Sequence, residues 1–202
     1  MTTMWHERWQ EQKTAWDLNG PHPLTLELLS FVCSLGPMGL GRTWMIPGCG
    51  RAHDAVELLR QGISSVVAKD LVPLAIEEAK RTYPDLKGLS LECGDVCKVD
   101  DSEIGKYDGI FDRAMLCALS GDFRLQYVRA IEKYLRPGGV FASIPFTEIS
   151  EPEVGPPFSI SGIELVGLFG PGFKIVKNEP RISPACGQKL LKEGLFIAIK
   201  RP

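Results

Sequence analysis

Residues Met45 to Asp54 read MIPGCGRAHD: an apolar lead ending in proline, two glycines one residue apart, then a charged run with helical spacing. Glycine belongs where a backbone must take positive φ or come close to a ligand. A strand, a glycine turn and a helix in that order form the ligand-facing corner of an open α/β sheet. In a dinucleotide fingerprint a third glycine lets helix and strand pack closely, but His53 stands at that position. Nor does a lysine follow the glycines, as a triphosphate loop requires. The turn is shaped for something other than a phosphate chain.

Asp70 closes the next strand-like run, ISSVVAKD, 20 residues beyond Gly50. An acid at that distance can accept hydrogen bonds from both ribose hydroxyls of an adenosine. The following strand closes in Cys93-Gly94-Asp95-Val96, where Asp95 can accept from an exocyclic amine and Val96 can pack on the ring. Either acid alone could simply cap a helix. Their order and spacing behind the glycine turn point to a cofactor with adenosine and no phosphate, S-adenosylmethionine (SAM).

Outward from this corner, strand and helix alternate. PLTLELLSFVCSL (Pro23 to Leu35) has apolar residues at helical spacing and is stopped by Gly36 and Pro37. RTWMIP reads as a strand, AHDAVELLRQG as a helix closed by Gly62, and ISSVVAKD as a buried strand. VPLAIEEAKRTYP is a helix with Pro73 in its first turn. LSLECGD is a third strand, and YDGIFDRAMLCAL contains a fourth. In DFRLQYVRAIEKYLRPGG, Phe123, Tyr127, Ile131 and Leu135 recur every four residues until Pro137-Gly138-Gly139 stops the helix. VFASIPF is a fifth strand, followed by the proline-rich loop EISEPEVGPPFS and the helix ISGIELVGLFG. FKIVKNE and GLFIAIK then pair as a hairpin. This pattern calls for an open, doubly wound, Rossmann-like α/β domain. Its seven-stranded sheet is mostly parallel, with an antiparallel C-terminal edge.

At 202 residues the chain is read as one domain, 1–202. Its formal charge of −2 provides no basic field for nucleic acid and no polybasic membrane patch. No apolar run approaches the roughly 20 residues of a membrane span. The leader MTTMWHERWQEQK has no hydrophobic signal core. The expectation is a cytoplasmic monomer acting on a small molecule. Cys33, Cys49, Cys93, Cys97, Cys117 and Cys186 read as reduced and mostly buried. Cys93 and Cys97 lack a second pair or a histidine cluster to complete four ligands, so no metal is expected.

WHERW and TAWD in the leader, IPGCGRAHD, VAKD, CGDV, FDRAMLCAL with Arg124 following, LRPGG and GPPFSIS together resemble the thiopurine S-methyltransferase family. This is a family of class I methyltransferases that also holds halide and thiol methyltransferases. The likeness runs over nearly the whole chain. It implies the class I methyltransferase fold, SAM as methyl donor and S-adenosylhomocysteine as product. It further implies that Trp5, Trp9 and Trp16, in an aromatic lid of residues 1–22, close over the cofactor. Gly48 would contact the methionine part, Asp70 the ribose, and Asp95 with Val96 the adenine; Gly50, Leu71 and Asp112 complete the cofactor set. Arg113 would face cofactor and acceptor, with Trp16 on the acceptor side. Pro47-Gly48-Cys49-Gly50 is worded like the halide and thiol branch, whereas Asp112-Arg113 is worded like the thiopurine branch.

The residues support a lid on their own terms, because three leader tryptophans expose costly aromatic area unless they cover something. Tryptophan also attracts a cationic sulfonium. Equally, Trp5 and Trp9, four residues apart, form one face of a short helix packing on the domain. If the acceptor is a thiolate, hydrosulfide or halide, it needs no strong general base, and Arg113 supplies a local positive field. The alternative reading of Arg113 is an ion pair with Asp112 or another carboxylate. His53 reads as a packing residue, Cys49 as a small turn residue, and Phe158 as a wall on the acceptor side stiffened by Pro156 and Pro157. The favoured activity is methylation of a small soft nucleophile (thiol, hydrosulfide, other chalcogen or halide). A thiopurine-like aromatic thiol as acceptor, and a SAM-binding sensor without turnover, are the alternatives.

Overall fold

The computed structural model describes residues 2–35, 43–149, 155–182 and 192–202. Arg42, the expected helix stop at Gly36 and Pro37, residues 150–154 of the proline-rich loop, and Cys186 all lie outside them. In chain order the elements are α1 (Thr2–Gln10), α2 (Thr25–Ser34), β1 (Thr43–Pro47), α3 (His53–Arg60), β2 (Ser65–Asp70), α4 (Pro73–Thr82) and β3 (Leu89–Cys93). They continue with β4 (Tyr107–Arg113), α5 (Met115–Ala118), α6 (Asp122–Tyr134), β5 (Leu135–Ile144), β6 (Phe146–Glu148), α7 (Gly162–Phe169), β7 (Phe173–Ile182) and β8 (Lys192–Lys200).

The sheet runs β3-β2-β1-β4-β5-β8, with the first five strands parallel and β8 antiparallel to β5. β7 pairs antiparallel along the length of β8. β6 pairs β8 as well, and Phe146 opposite Glu193 continues the register of Ser143 opposite Phe196. Thus β6 is β5 resumed after Pro145, and among the described residues eight strand segments fill the expected seven positions. The C-terminal hairpin is antiparallel as read, but β8 is inserted inside the sheet and β7 is the edge.

Because both faces are covered, successive strand residues feed opposite cores. Met45, Ile110, Phe141 and Phe196 join the cluster under α5, α6 and α7. Trp44, Phe111, Ala142 and Ile197 join the cluster under α2 and α3. Gly109 is obligatory in the second cluster, since a Cβ there would lie 2.2 Å from the Trp44 ring.

Two boundaries differ from the sequence reading. α6 ends at Tyr134, and β5 begins at Leu135 opposite Tyr107. Pro137-Gly138-Gly139 is therefore absorbed into the strand, where the register shifts between Tyr107 and Gly109 and Gly138 takes φ +74°. The short α5 has no counterpart in the sequence pattern. It is entered through Ala114 in the left-handed region. The cysteines also sit further out than expected: Cys33 and Cys93 are exposed, Cys49 and Cys97 half-buried, and Cys117 buried.

The strand order reverses at β1, between β2 and β4. A ligand site in such a sheet opens at the carboxyl ends flanking that reversal. Every residue singled out in the glycine corner lies there.

Candidate active site

Gly48, Gly50 and Ala52 all take positive φ, at +60°, +53° and +62°. The chain thus winds tightly off β1 before α3 begins, and a Cβ at Gly48 would lie 2.9 Å from Met115 Sδ. Asp70 grips this turn from the neighbouring strand. Its Oδ2 accepts from the Gly50 amide and its Oδ1 from the Val72 amide, each at 2.9 Å. Burial pushes the Asp70 carboxyl up, while those amides pull it down. Each carboxylate oxygen keeps a further lone pair for a ribose hydroxyl. Leu71 is half-buried beside it. At the end of β3, the half-buried Asp95 accepts from the Cys97 amide at 2.9 Å, and Val96 is buried.

The cations next to this corner are spoken for. Lys69 places its Nζ 3.0 Å from both oxygens of Glu103. Arg51 donates to Glu78 at 2.7 Å and also to Asp17; against its burial, His53 and Arg51 together hold the Asp17 carboxyl well below the usual range. A glycine turn with an acid behind it and its nearest cations engaged fits a nucleoside cofactor without phosphates.

α1 lies against the same corner. Trp16 meets Trp5 edge-on at 5.3 Å and Trp9 at 6.3 Å. Trp9 is buried with Val72 and Ala75, and its indole comes within 3.7 Å of a Cβ placed at Gly50. The leader is therefore a packed helix face, and it also overlies the glycine turn. Its cation–π partners in this structure are the protein's own: Arg8 over Trp5 at 5.2 Å and Arg51 over Trp9 at 5.0 Å. Arg8 further donates to the Pro156 carbonyl at 3.3 and 3.2 Å. That loop carries two consecutive cis prolines, Pro156 and Pro157. Phe158 folds back onto Gly155, where a Cβ would lie 2.1 Å from its ring.

At the end of β4, adjacent residues part company. Asp112 is directed inward, away from the strand-end opening. Its Oδ2 accepts from Tyr127 Oη at 2.7 Å and the Leu116 amide at 3.2 Å, and its Oδ1 from Ser143 Oγ at 3.1 Å. Burial pushes its carboxyl up to about 6. Arg113 turns toward the leader, donating to the Trp16 carbonyl from both terminal nitrogens at 3.1 and 2.7 Å. Its Nε lies 3.3 Å from Asp54 Oδ2. The carboxylate partner is Asp54, not the neighbouring Asp112.

Sequence reasoning missed the role of Arg124. Buried in α6, it donates to the carbonyls of Leu116, Leu119, Phe158 and Ser159 and to Glu164 at 2.6 Å. It ties α5, the GPPF segment and α7 into one wall. An arginine quoted only as part of a motif gave no sign of these partners. The histidines have structural partners: His22 Nε2 lies 2.9 Å from Glu193, and His53 Nδ1 lies 2.7 Å from Tyr83 Oη. Burial raises the Cys49 thiol well above its ordinary value, which removes thiolate character from the turn. Among the described residues, no group of three His, Cys, Asp or Glu side chains could hold a metal ion. No described helix is long and apolar enough to cross a membrane.

The family model described as thiopurine S-methyltransferase matches residues 1–188. A probable thiol methyltransferase 2 of Arabidopsis thaliana is 31% identical over 194 residues, covering 93% of this chain and 82% of the relative. A thiopurine S-methyltransferase of Methylococcus capsulatus is 31% identical over 206 residues, covering 95% and 90%. Thiocyanate methyltransferase 1 of Brassica oleracea is 28% identical over 179 residues, covering 87% and 75%. Among solved structures, Burkholderia thailandensis 1,6-didemethyltoxoflavin-N1-methyltransferase, with substrate and S-adenosylhomocysteine bound, has a TM-score of 0.74 at 20% identity. It covers 100% of this chain and 87% of that one.

Proposed function

The chain belongs to the thiopurine S-methyltransferase family and is a SAM-dependent methyltransferase, and on that premise we propose that it methylates a small soft nucleophile. Thiol, hydrosulfide, other chalcogen and halide acceptors fall in this class. The observation that carries the reading is the double anchoring of the leader. Arg113 holds the Trp16 carbonyl on one flank and Arg8 holds the Pro156 carbonyl on the other. A cover anchored on both flanks favours a small acceptor over a bulky one.

Bound at the glycine corner, SAM supplies an electrophilic methyl carbon on a sulfonium. Asp70 would accept from its ribose, Asp95 from its adenine amine, and Gly48 and Gly50 would let the backbone approach its amino-acid arm. Trp5, Trp9 and Trp16, in the 1–22 lid of the single 1–202 domain, exclude water from the reacting centre. The acceptor must be aligned within about 3–3.5 Å of the methyl carbon. Arg113 orients it through a local positive field, with Trp16 and Phe158 as apolar walls. A charged soft nucleophile attacks without losing a proton, in keeping with the engagement of both His22 and His53 by structural partners.

Incubation with SAM and a panel of hydrosulfide, thiocyanate, iodide and aromatic thiols tests this reading. The expected result is methylated product at higher kcat/KM from the small anions than from the aromatic thiols. A reversed preference would favour the second reading, a thiopurine-like acceptor. That reading draws on Arg113 and on the name of the Methylococcus capsulatus relative. SAM binding with no product from any acceptor would favour a sensor.

A further inference from the structure

We propose that Asp54 is a positioning residue that sets the direction of Arg113 and, through it, seats the leader. Asp54 stands in the first turn of α3, where a helix N-terminus favours a carboxylate. Its two oxygens do different work. Oδ1 accepts from the His22 amide at 2.8 Å and from Thr25 Oγ1 at 2.9 Å, where the leader rejoins the body at the start of α2. Oδ2 lies 3.3 Å from Arg113 Nε.

A guanidinium is a planar fork, so fixing its Nε edge fixes the heading of its two terminal nitrogens. In this structure both head onto the Trp16 carbonyl. One carboxylate thereby locks the root of the leader, at residues 22 and 25, and aims the cation that grips the leader at Trp16. Three elements meet on one side chain: the leader, the helix after the glycine turn, and the end of β4. The role of Arg113 toward the acceptor rests on the proposed function above, whereas its grip on the leader does not.

A double-mutant cycle with two readouts tests this. Native protein, Asp54→Asn, Arg113→Gln and the double variant are compared in the presence of S-adenosylhomocysteine by acrylamide quenching of tryptophan fluorescence. Three of the four tryptophans lie in the leader. Asp54→Asn is expected to raise the quenching constant about twofold in the native background and to add nothing to Arg113→Gln. No change in the native background, or the same increment in both, overturns the proposal. If Arg113→Gln does not fold, Arg113→Lys serves as the second background, because it keeps the charge but lacks Nε. Acceptor kinetics form the separate arm. Asp54→Asn is expected to raise acceptor KM about tenfold, with SAM affinity within about twofold of native. Coupled quenching with unchanged acceptor KM would sustain the leader coupling and sink the acceptor role of Arg113.

Discussion

The carbonyl of Trp16 accepts from both terminal nitrogens of Arg113, at 3.1 and 2.7 Å, across 97 residues of chain. A residue at the carboxyl end of an inner strand is thereby bonded to the segment lying over the site. The leader is thus tied into the strand-end corner.

Asp70 clamps the glycine turn and is the acid assigned to the ribose. Asp70→Asn preserves its shape but turns an N–H toward the Gly50 or Val72 amide. Calorimetry is expected to show SAM affinity weakened by about 1–3 kcal/mol. Unchanged affinity would mean that the ribose is held elsewhere.

Arg8 joins the leader to the proline loop through the Pro156 carbonyl. Arg8→Ala removes a partly exposed contact, so global stability should fall by no more than about 1 kcal/mol. Amide exchange in α1 should accelerate while the strands of the sheet keep native protection, and acceptor KM should rise. Native exchange in α1 would show that the tryptophan cluster alone holds the leader.

Arg124 bonds four carbonyls and one carboxylate from inside the fold. Lysine retains the charge but not the fork. Arg124→Lys is expected to lose about 2–4 kcal/mol by denaturant unfolding, because several buried carbonyls lose their donor. A loss within the error of the measurement would mean that water or a shifted loop replaces the fork.

Asp112 is enclosed, and its carboxyl is raised to about 6. Between the ordinary carboxylate value and about 6, the folded chain binds the proton more tightly than the unfolded chain does. The contribution of this group therefore weakens as pH rises through that window. Asp112→Asn lacks the titration. The stability advantage of the native protein over Asp112→Asn should thus shrink by about 2–3 kcal/mol from about pH 4 to about pH 7. A difference independent of pH would place the titration of Asp112 outside this range.

The order of elements was legible because it is written locally. Alternating helical and strand-like hydrophobic runs, Pro73 at a helix start and glycines at positive-φ turns act within a few residues of themselves. LRPGG misled for the same reason. Its Pro-Gly-Gly is a helix stop by local chemistry, yet pairing with Tyr107 draws Leu135 into a strand and turns the glycines into an irregularity. The cysteines misled too, since small hydrophobes at a strand end or on a helix's outer side stay exposed when no neighbour covers them.

By itself, then, the sequence determined an alternating α/β chain, an antiparallel close and a glycine turn with Asp70 on the neighbouring strand. Only the tertiary structure decided that Asp112 turns inward while Arg113 turns toward the leader. It also decided that Asp54 is the partner of Arg113 and that Arg124 binds one wall together. Backbone preference and hydrophobic periodicity are short-ranged properties of the chain. Partners separated by 34 to 148 residues, such as Arg124 with Phe158 or Arg8 with Pro156, depend on how packed elements meet in space.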